Sequence, residues 1–227
     1  MSKQSQKRYE RKSNVKPTRK RFLIVCEGAE TEPNYFKSFQ TIGRDTKTVH
    51  IDIIRAGAVG ITVVKEAKKR KEQDGYYAED EVWCVFDRDG KKENNNQQNF
   101  NEAIRLAMEN QLNLAISNDA FELWYLLHYE YYESETHRSN LKEMLSSKKR
   151  LGEKYEKNSE DMYEKLKEKQ SNAIKYAKKL WLSYADAPVD NTEKLPIDER
   201  LRRHNINPST TVYQLVEKLN AVIFPSK

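Results

Sequence analysis

The sequence predicts an α/β fold in which a mostly parallel sheet is flanked by helices and followed by a C-terminal helical cap. Three observations predict it. Four short apolar runs lie in the first half of the chain, and two of them are continuously apolar, which is typical of parallel strands covered on both faces. The segments between them have the length and spacing of crossover helices. In the second half of the chain only helical patterns recur.

The predicted strands and helices alternate regularly as far as the fourth strand. The strands are predicted at residues 21–27, 49–55, 81–87 and 112–117. Helices are predicted between them at residues 33–41, 61–73 and 100–110, where apolar residues recur at helical spacing. Pro33 suits a first helical turn, because the N–H that proline lacks would be unpaired there in any case. This alternation predicts a Rossmann-like core with right-handed connections.

The rest of the chain is predicted to be helical. A buried helix is expected at residues 118–132, which are apolar on nearly all sides, and strand patterns stop after about residue 134. Amphipathic helices are expected at residues 159–183 and 208–224, joined by a loop at 186–207 that contains two prolines. The resulting organisation is a disordered basic tail at 1–20, an α/β core at 21–133 and a helical region at 134–227 packed on the core.

Composition excludes some classes of protein and places the positive charge. The 227 residues are 37% hydrophobic and contain no apolar run of about 20 residues, so a membrane span is not expected. The formal charge of +6 is uneven: residues 1–21 hold nine Lys or Arg and one Glu, hence +8, which leaves −2 for the rest. Cys26 and Cys84 lie in apolar runs, and no export signal is evident. Buried free thiols and a cytoplasmic location are therefore predicted.

Carboxylates stand directly after two of the apolar runs. Glu27 follows the first run, and Asp87 and Asp89 follow the third. Sites in open α/β sheets lie at the carboxyl ends of strands, so these groups converge if the first and third strands are neighbours. Clustered carboxylates raise one another's pKa unless a cation compensates, and such hard oxygen ligands select Mg²⁺, with Mn²⁺ as an alternative. The other interpretation is that these acids cap loops and face water.

Several familiar catalytic motifs are absent from the sequence. Residues 57–60 contain two glycines but no following Gly-Lys-Ser/Thr, and there is no GxGxxG, GxSxG or HExxH pattern. The chain is therefore not expected to be a P-loop ATPase. By elimination, catalysis here would be metal-assisted chemistry on phosphate esters.

Four blocks of sequence carry a resemblance to a known family. They are residues 25–36 (VCEGAETEPNYF), 87–89 (DRD), 117–128 (SNDAFELWYLLH) and 207–216 (NPSTTVYQLV). Together they resemble the RloB family, bacterial proteins often associated with restriction–modification or phage-defence loci. The resemblance covers almost everything after the basic tail.

The resemblance implies a fold, a chemistry and a setting. RloB proteins are regarded as similar to the TOPRIM fold, in which a Glu ends the first strand and an Asp-x-Asp ends a later one; Glu27, Asp87 and Asp89 match these positions. Glu32 matches a second acid of OLD-like nucleases, with one extra intervening residue here. The implied activity is Mg²⁺-dependent phosphodiester cleavage in anti-phage defence by abortive infection. A separate ATPase partner would fit the missing P-loop.

Other candidate residues have two interpretations each. Glu122 is a further ligand or general base, or it forms a capping box with Asp119 as N-cap. His128 is expected to be a hydrogen-bonded core residue, because its spacing from Glu122 puts it on another helical face. Trp124 and the tyrosines after it are expected to be core rather than base-stacking residues. Arg88 contacts a phosphate or forms a structural ion pair.

The first functional hypothesis is a metal-dependent nuclease. Mg²⁺ would be held by Glu27, Asp87 and Asp89, with Glu32 or Glu122 assisting. The substrate would be DNA or RNA, with tRNA among the candidates, and the basic tail would either attract phosphates or only aid solubility. The alternative is a non-catalytic effector or adaptor of a defence ATPase complex that binds a metal or nucleotide as a signal.

Overall fold

A five-stranded, mostly parallel sheet forms the centre of the molecule. The computed structural model describes residues 19–88, 96–185 and 195–225. The strands are β1 (Lys20–Cys26), β2 (Val49–Arg55), β3 (Glu81–Asp87), β4 (Asn113–Asn118) and β5 (Ser209–Thr210), in the order β2-β1-β3-β4-β5. The first four run parallel, and β5 is antiparallel to β4. The predicted α/β class, with a mostly parallel sheet flanked by helices, is confirmed.

Helices connect the strands and make up most of the C-terminal half. Those before β4 are α1 (Thr31–Thr46), α2 (Gly60–Gln73) and α3 (Asn96–Glu109). Those after it are α4 (Glu122–Leu126), α5 (Arg138–Leu145), α6 (Met162–Leu166), α7 (Gln170–Ser183), α8 (Ile197–His204) and α9 (Val212–Ile223). A 3₁₀ turn at Lys167–Lys169 joins α6 to α7.

Both faces of the sheet are buried, as the apolar runs predicted. In β1 the side chains alternate between two cores: Phe22 and Ile24 pack with α1, α4, α7 and α9, whereas Leu23 and Val25 pack with α2 and α3. All four are at most 1% exposed. A strand buried on both sides needs apolar residues at every position, which explains the continuous run in the sequence.

Helix α1 is longer than the predicted helix at 33–41. It runs through Gly43 and ends where Lys47 adopts a left-handed conformation with φ of 59°. A Cβ atom on Gly43 would lie 2.5 Å from Cγ1 of Val49, at the start of β2. This glycine therefore permits close packing of the helix on the sheet and does not end the helix.

Two predicted long helices are wrong in their extent. Residues 121–128 are buried, as expected. Within the predicted segment 118–132, however, only α4 is helical, and Asn118 belongs to β4. The segment 159–183 is interrupted by the 3₁₀ turn between α6 and α7. Its predicted inner stripe is nevertheless buried, from Met162 to Leu180.

The C-terminal part contributes a helix and a strand that the sequence pattern did not reveal. Helix α8 lies within the predicted loop at 186–207, of which residues 186–194 are outside the described ranges. Strand β5 contradicts the expectation that no strand follows residue 134. It is tied to β4 by a 3.0 Å hydrogen bond between the hydroxyls of Ser117 and Thr210.

Two further expectations concern cysteines and membranes. Cys26 and Cys84 are buried free thiols, as predicted. Among residues 19–88, 96–185 and 195–225, no helix has the length and apolar character required to cross a bilayer. Residues 1–18 of the predicted basic tail are outside the described part of the chain.

Candidate functional site

The ends of β1 and β3 are neighbours, which is the condition that the sequence placed on the carboxylate site. The two strands pair in parallel, with Cys26 opposite Val85. Glu27 follows β1, and its Oε2 accepts a 3.0 Å hydrogen bond from the backbone N–H of Asp87. The structure therefore brings Glu27 and Asp87 together. Asp89, the third predicted ligand, lies outside the described residues.

Glu32 joins this pair from the first turn of α1. Its side chain is buried, and its carboxylate packs on Gly28, where a Cβ atom would lie only 2.4 Å from Oε2. Burial raises the pKa of Glu32, and the nearby carboxylate of Glu122 raises that pKa further, while Lys157 opposes the shift. The extra residue before Glu32 in the motif does not remove it from the site.

Glu122 is the first residue of α4 and is 4% exposed. The hydroxyl of Tyr155 donates a 3.3 Å hydrogen bond to its Oε1. The predicted capping box is wrong, because the N-cap of α4 is Phe121 and no side chain caps it. The Asp119 carboxylate instead accepts a 3.0 Å hydrogen bond from the backbone N–H of Arg138.

These four acids line one cavity of about 180 Å³ at the carboxyl ends of the parallel strands. We refer to Glu27, Glu32, Asp87 and Glu122 as the carboxylate cluster. The other lining residues are Gly28, Thr31, Phe121, Arg138, Lys142 and Lys157. This is the edge of the sheet at which open α/β proteins place their ligands.

Asp87 has the least favourable electrostatic environment in the cluster. Its pKa is raised well above the usual range by burial first, and then by Glu32, Glu122 and Glu27, with Arg138 opposing the shift. Its Oδ1 is buried and has no hydrogen-bond partner within the described residues. A buried carboxylate oxygen with no donor is costly, so a ligand that binds there would relieve a real electrostatic penalty.

The chemistry of the cluster fits a divalent cation. Carboxylate oxygens are hard ligands of the kind that Mg²⁺ prefers, and the unpartnered Oδ1 of Asp87 is available to such an ion. Glu27 and Asp87 could hold it, with Glu32 and Glu122 beside them. Within the described ranges, however, no group of three or more His, Cys, Asp or Glu side chains is already arranged as metal ligands.

Three basic residues that line the cavity were not predicted from the sequence, and neither was Tyr155, which donates a hydrogen bond to Glu122. Arg138, Lys142 and Lys157 belong to a chain with 41 Lys and Arg, and nothing in their local spacing distinguishes them. They reach the cavity only because α5 and the segment before α6 fold back over the strand ends. Only the three-dimensional structure shows that these residues line the cavity.

The remaining candidates lie elsewhere. His128 is fully buried, and its Nδ1–H donates a 2.9 Å hydrogen bond to the carbonyl of Trp124, so the core interpretation is confirmed. Burial lowers the pKa of His128 to about 4. Trp124 and Tyr125 are also core residues. Arg88 donates a hydrogen bond to the side-chain carbonyl of Gln97.

Comparison with known proteins identifies the family. No curated protein and no solved structure matched the chain. A family model described as RloB-like protein matches residues 22–219, which include the whole carboxylate cluster and all five strands except the first two residues of β1. The chain therefore belongs to the RloB-like protein family.

Proposed function

We propose that this protein is a Mg²⁺-dependent nuclease whose active site is the cavity lined by the carboxylate cluster. One observation carries the proposal: four carboxylates share a small cavity at the strand ends, and Asp87 presents a buried oxygen without a partner. Such an arrangement favours the binding of a cation, and it is typical of sites that bind metal for phosphoryl chemistry.

The topology supports a TOPRIM-type site. A Glu directly after one parallel strand contacts an Asp at the end of the adjacent parallel strand, and this pairing matches the motif positions that the RloB resemblance implies. In the proposal Glu27 and Asp87 hold the metal, and Asp89 is a third ligand. When bound, Mg²⁺ would supply Lewis-acid stabilisation and lower the pKa of a bound water.

Protein groups around the cluster fix the geometry that this chemistry needs. The N–H of Asp87 holds the Glu27 carboxylate, and the Tyr155 hydroxyl holds that of Glu122. Glu32 is held against Gly28. In the proposal, Glu32 and Glu122 orient a water and accept its proton beside the metal ligands.

The proposed setting is anti-phage defence by abortive infection. The RloB family membership supports it, and the absence of a P-loop in the sequence supports a separate ATPase as partner. The proposed substrate is DNA or RNA, with tRNA among the candidates.

A cleavage assay on plasmid DNA and total RNA, with Mg²⁺ or Mn²⁺ and with and without the ATPase, tests the proposal. We expect cleavage by the unmodified protein, and a loss of at least 100-fold in Glu27→Gln and Asp87→Asn, in line with losses for removed catalytic groups, about 10²–10⁴. Glu217→Gln on α9, whose carboxylate pairs with Lys178 away from the cavity, is the control. Equal cleavage by all variants would contradict the proposal.

A different result would favour the effector hypothesis. If Mn²⁺ or Mg²⁺ raises the melting temperature but neither nucleic acid is cut, even with the ATPase present, the cavity is a regulatory metal or nucleotide site. Glu27→Gln should then abolish the metal-induced shift in melting temperature, and the signal would be read by the partner.

A further inference from the structure

The cavity has a second, basic wall opposite in charge to the carboxylate cluster. Arg138 and Lys142 contribute to it from successive turns of α5, since residues four apart share a helical face. Lys157 contributes from the segment between α5 and α6. The same small volume is therefore lined by four acids and three basic residues.

Arg138 has a structural role in this wall. Its guanidinium donates a 3.0 Å hydrogen bond to the carbonyl of Asp119, and its Nε lies 3.5 Å from the Asp119 carboxylate. The backbone N–H of Arg138 also donates to that carboxylate, at 3.0 Å. These contacts fix the start of α5 to the loop after β4, which sets the position of Lys142 one turn further along.

The backbone beside Lys157 is fixed equally well. The Thr31 hydroxyl donates a 3.2 Å hydrogen bond to the carbonyl of Lys157, and the Asn34 amide donates a 3.2 Å bond to the carbonyl of Asn158. Both donors lie in the first turn of α1, next to Glu32. The distinctive motif at residues 25–36 thus supplies an acid to the cavity and also anchors the segment that brings Lys157 to it.

Neither lysine is paired with an acid. Within the described residues, the ammonium groups of Lys142 and Lys157 form no hydrogen bond and no salt bridge, although both line a cavity with four carboxylates. By contrast, Arg138 is held by Asp119. Because Lys142 and Lys157 line the acidic cavity without a salt bridge among the described residues, their ammonium groups are able to bind a third, anionic component.

We propose that Lys142 and Lys157 form a phosphate-binding subsite in the cavity that the metal-binding carboxylate cluster also lines. This inference rests on the proposed nuclease function and names its substrate group: a phosphodiester recognised through its phosphate. The cavity of about 180 Å³ is smaller than pockets for drug-sized ligands, which span about 300–1,000 Å³. It accommodates a phosphate and its metal, so the bases stay outside it.

A purely structural role makes a different prediction. If the lysines only neutralised the acids, their removal would lower stability without changing the affinity for nucleic acid. In a phosphate subsite, the charge itself matters for binding, so arginine should replace lysine while glutamine should not. The two roles are therefore separated by whether the glutamine variant loses affinity for nucleic acid or only stability, and by whether arginine restores the affinity.

The test measures binding of a short, fluorescein-labelled, single-stranded nucleic acid to the full chain by fluorescence anisotropy. Binding is measured over a range of NaCl concentrations, and Ca²⁺ replaces Mg²⁺ to slow cleavage. For Lys142→Gln/Lys157→Gln we expect about tenfold weaker binding and a salt slope smaller by about 1.4, or 0.7 for each lost single-strand contact. Lys142→Arg/Lys157→Arg should restore both. The control, Lys148→Gln/Lys149→Gln, removes two exposed lysines outside the cavity and should change neither.

The outcomes distinguish this inference from the nuclease proposal. Unchanged affinity and slope in the glutamine variant overturn the subsite, as does the absence of measurable binding by the unmodified protein. Lysine-dependent binding without any cleavage would keep the subsite and reject the nuclease. Cleavage with unchanged KM in the glutamine variant would keep the nuclease and reject the subsite.

Discussion

Asp87 occupies the most strained electrostatic position among the residues of the site. One oxygen of its carboxylate is buried and three other acids lie nearby, so the group must either stay charged against their repulsion or hold a proton at an energetic cost. Its Oδ1 also lacks a donor within the described residues. Such a residue reduces the stability of the metal-free protein, which is a cost that functional sites commonly impose.

The variant Asp87→Asn should therefore stabilise the metal-free protein while it removes cleavage. Asparagine has nearly the same shape but no charge, so the repulsion by the other three carboxylates disappears. We expect the free energy of unfolding to rise by about 0.5–2 kcal/mol in EDTA, measured by urea denaturation. Glu217→Gln, away from the cavity, should not raise it. A less stable Asp87→Asn protein would contradict this account of the cluster.

Two buried histidines make stability depend on pH. Burial lowers the pKa of His128 to about 4 and that of His204 to about 3, where Arg200 adds to the effect. Because both folded-state values lie below the unfolded value of about 6.5, their stabilising contribution is complete above that pH and is lost as the pH falls below it.

The pH dependence can be assigned by substitution. Urea denaturation at several pH values between about 7 and 4 should show a loss on the order of 6 kcal/mol for the unmodified protein, about 3 kcal/mol from each histidine at about 1.4 kcal/mol per pKa unit. His204→Gln should have a clearly smaller loss over the same range. The exposed His50 provides the control as His50→Gln. If stability falls equally with decreasing pH in all three proteins, the buried imidazole of His204 does not cause the loss.

At the scale of elements, the connection between β1 and α1 determines where Glu32 lies. Gly28 has no unusual backbone conformation, so alanine would be tolerated by the chain itself. Its new Cβ would, however, lie 2.4 Å from the Glu32 carboxylate, at the flexible end of that side chain. The carboxylate must then move away from its present position in the cluster.

Gly28→Ala should consequently reduce cleavage more than stability. We expect a loss of about tenfold or more in kcat/KM, with a change in the free energy of unfolding below about 1 kcal/mol. Gly60→Ala is the matched contrast, because its Cβ would lie 2.7 Å from the Phe86 ring in the core. It should lower stability by about 1–3 kcal/mol by overpacking. If Gly28→Ala instead lowers stability and leaves cleavage unchanged, cleavage does not depend on the position of the Glu32 carboxylate.

Elements were predictable where one physical pattern dominates. Strands β2 and β3 match the sequence prediction because the polar residues at their ends mark clear boundaries. Strand β5 has two residues, too few for any periodicity, and it forms only because β4 offers an open edge. The 3₁₀ turn between α6 and α7 leaves the buried apolar residues of both helices in one stripe. The spacing of apolar residues in the sequence therefore could not reveal the break.

The site was predictable to a similar extent. The pairing of Glu27 with Asp87 follows from the strand ends, which the sequence predicted, and from the adjacency of β1 and β3, which the sequence left as a condition. The positions of Lys142, Lys157 and Tyr155 depend on how a later segment folds over the strand ends, which is a tertiary property. Charge patterns along the chain carry no information about that contact.

At the scale of the whole molecule, a basic N-terminal segment is separate in sequence from the carboxylate cluster. Residues 1–18 contain six Lys or Arg and one Glu, and the carboxylate cluster lies in the remainder. If the protein acts on nucleic acid, this segment supplies sequence-independent attraction and the cavity supplies the chemistry. The two contributions should be separable.

Deletion of residues 1–18 should weaken binding of nucleic acid without removing activity. We expect about tenfold weaker binding at low salt and a smaller salt slope, since up to six phosphate contacts are lost. Strand β1, which begins at Lys20, remains intact. Cleavage at saturating substrate should persist, and its complete loss would show that the segment takes part in the chemistry.

We propose that the carboxylate cluster is a divalent cation site. Isothermal titration calorimetry of the metal-free protein with Mn²⁺ tests this without any substrate. We predict saturable binding that Mg²⁺ competes for, weakened about tenfold or more in both Glu27→Gln and Asp87→Asn and unchanged in Glu217→Gln. No binding, or binding that is equal in all four proteins, would contradict the claim.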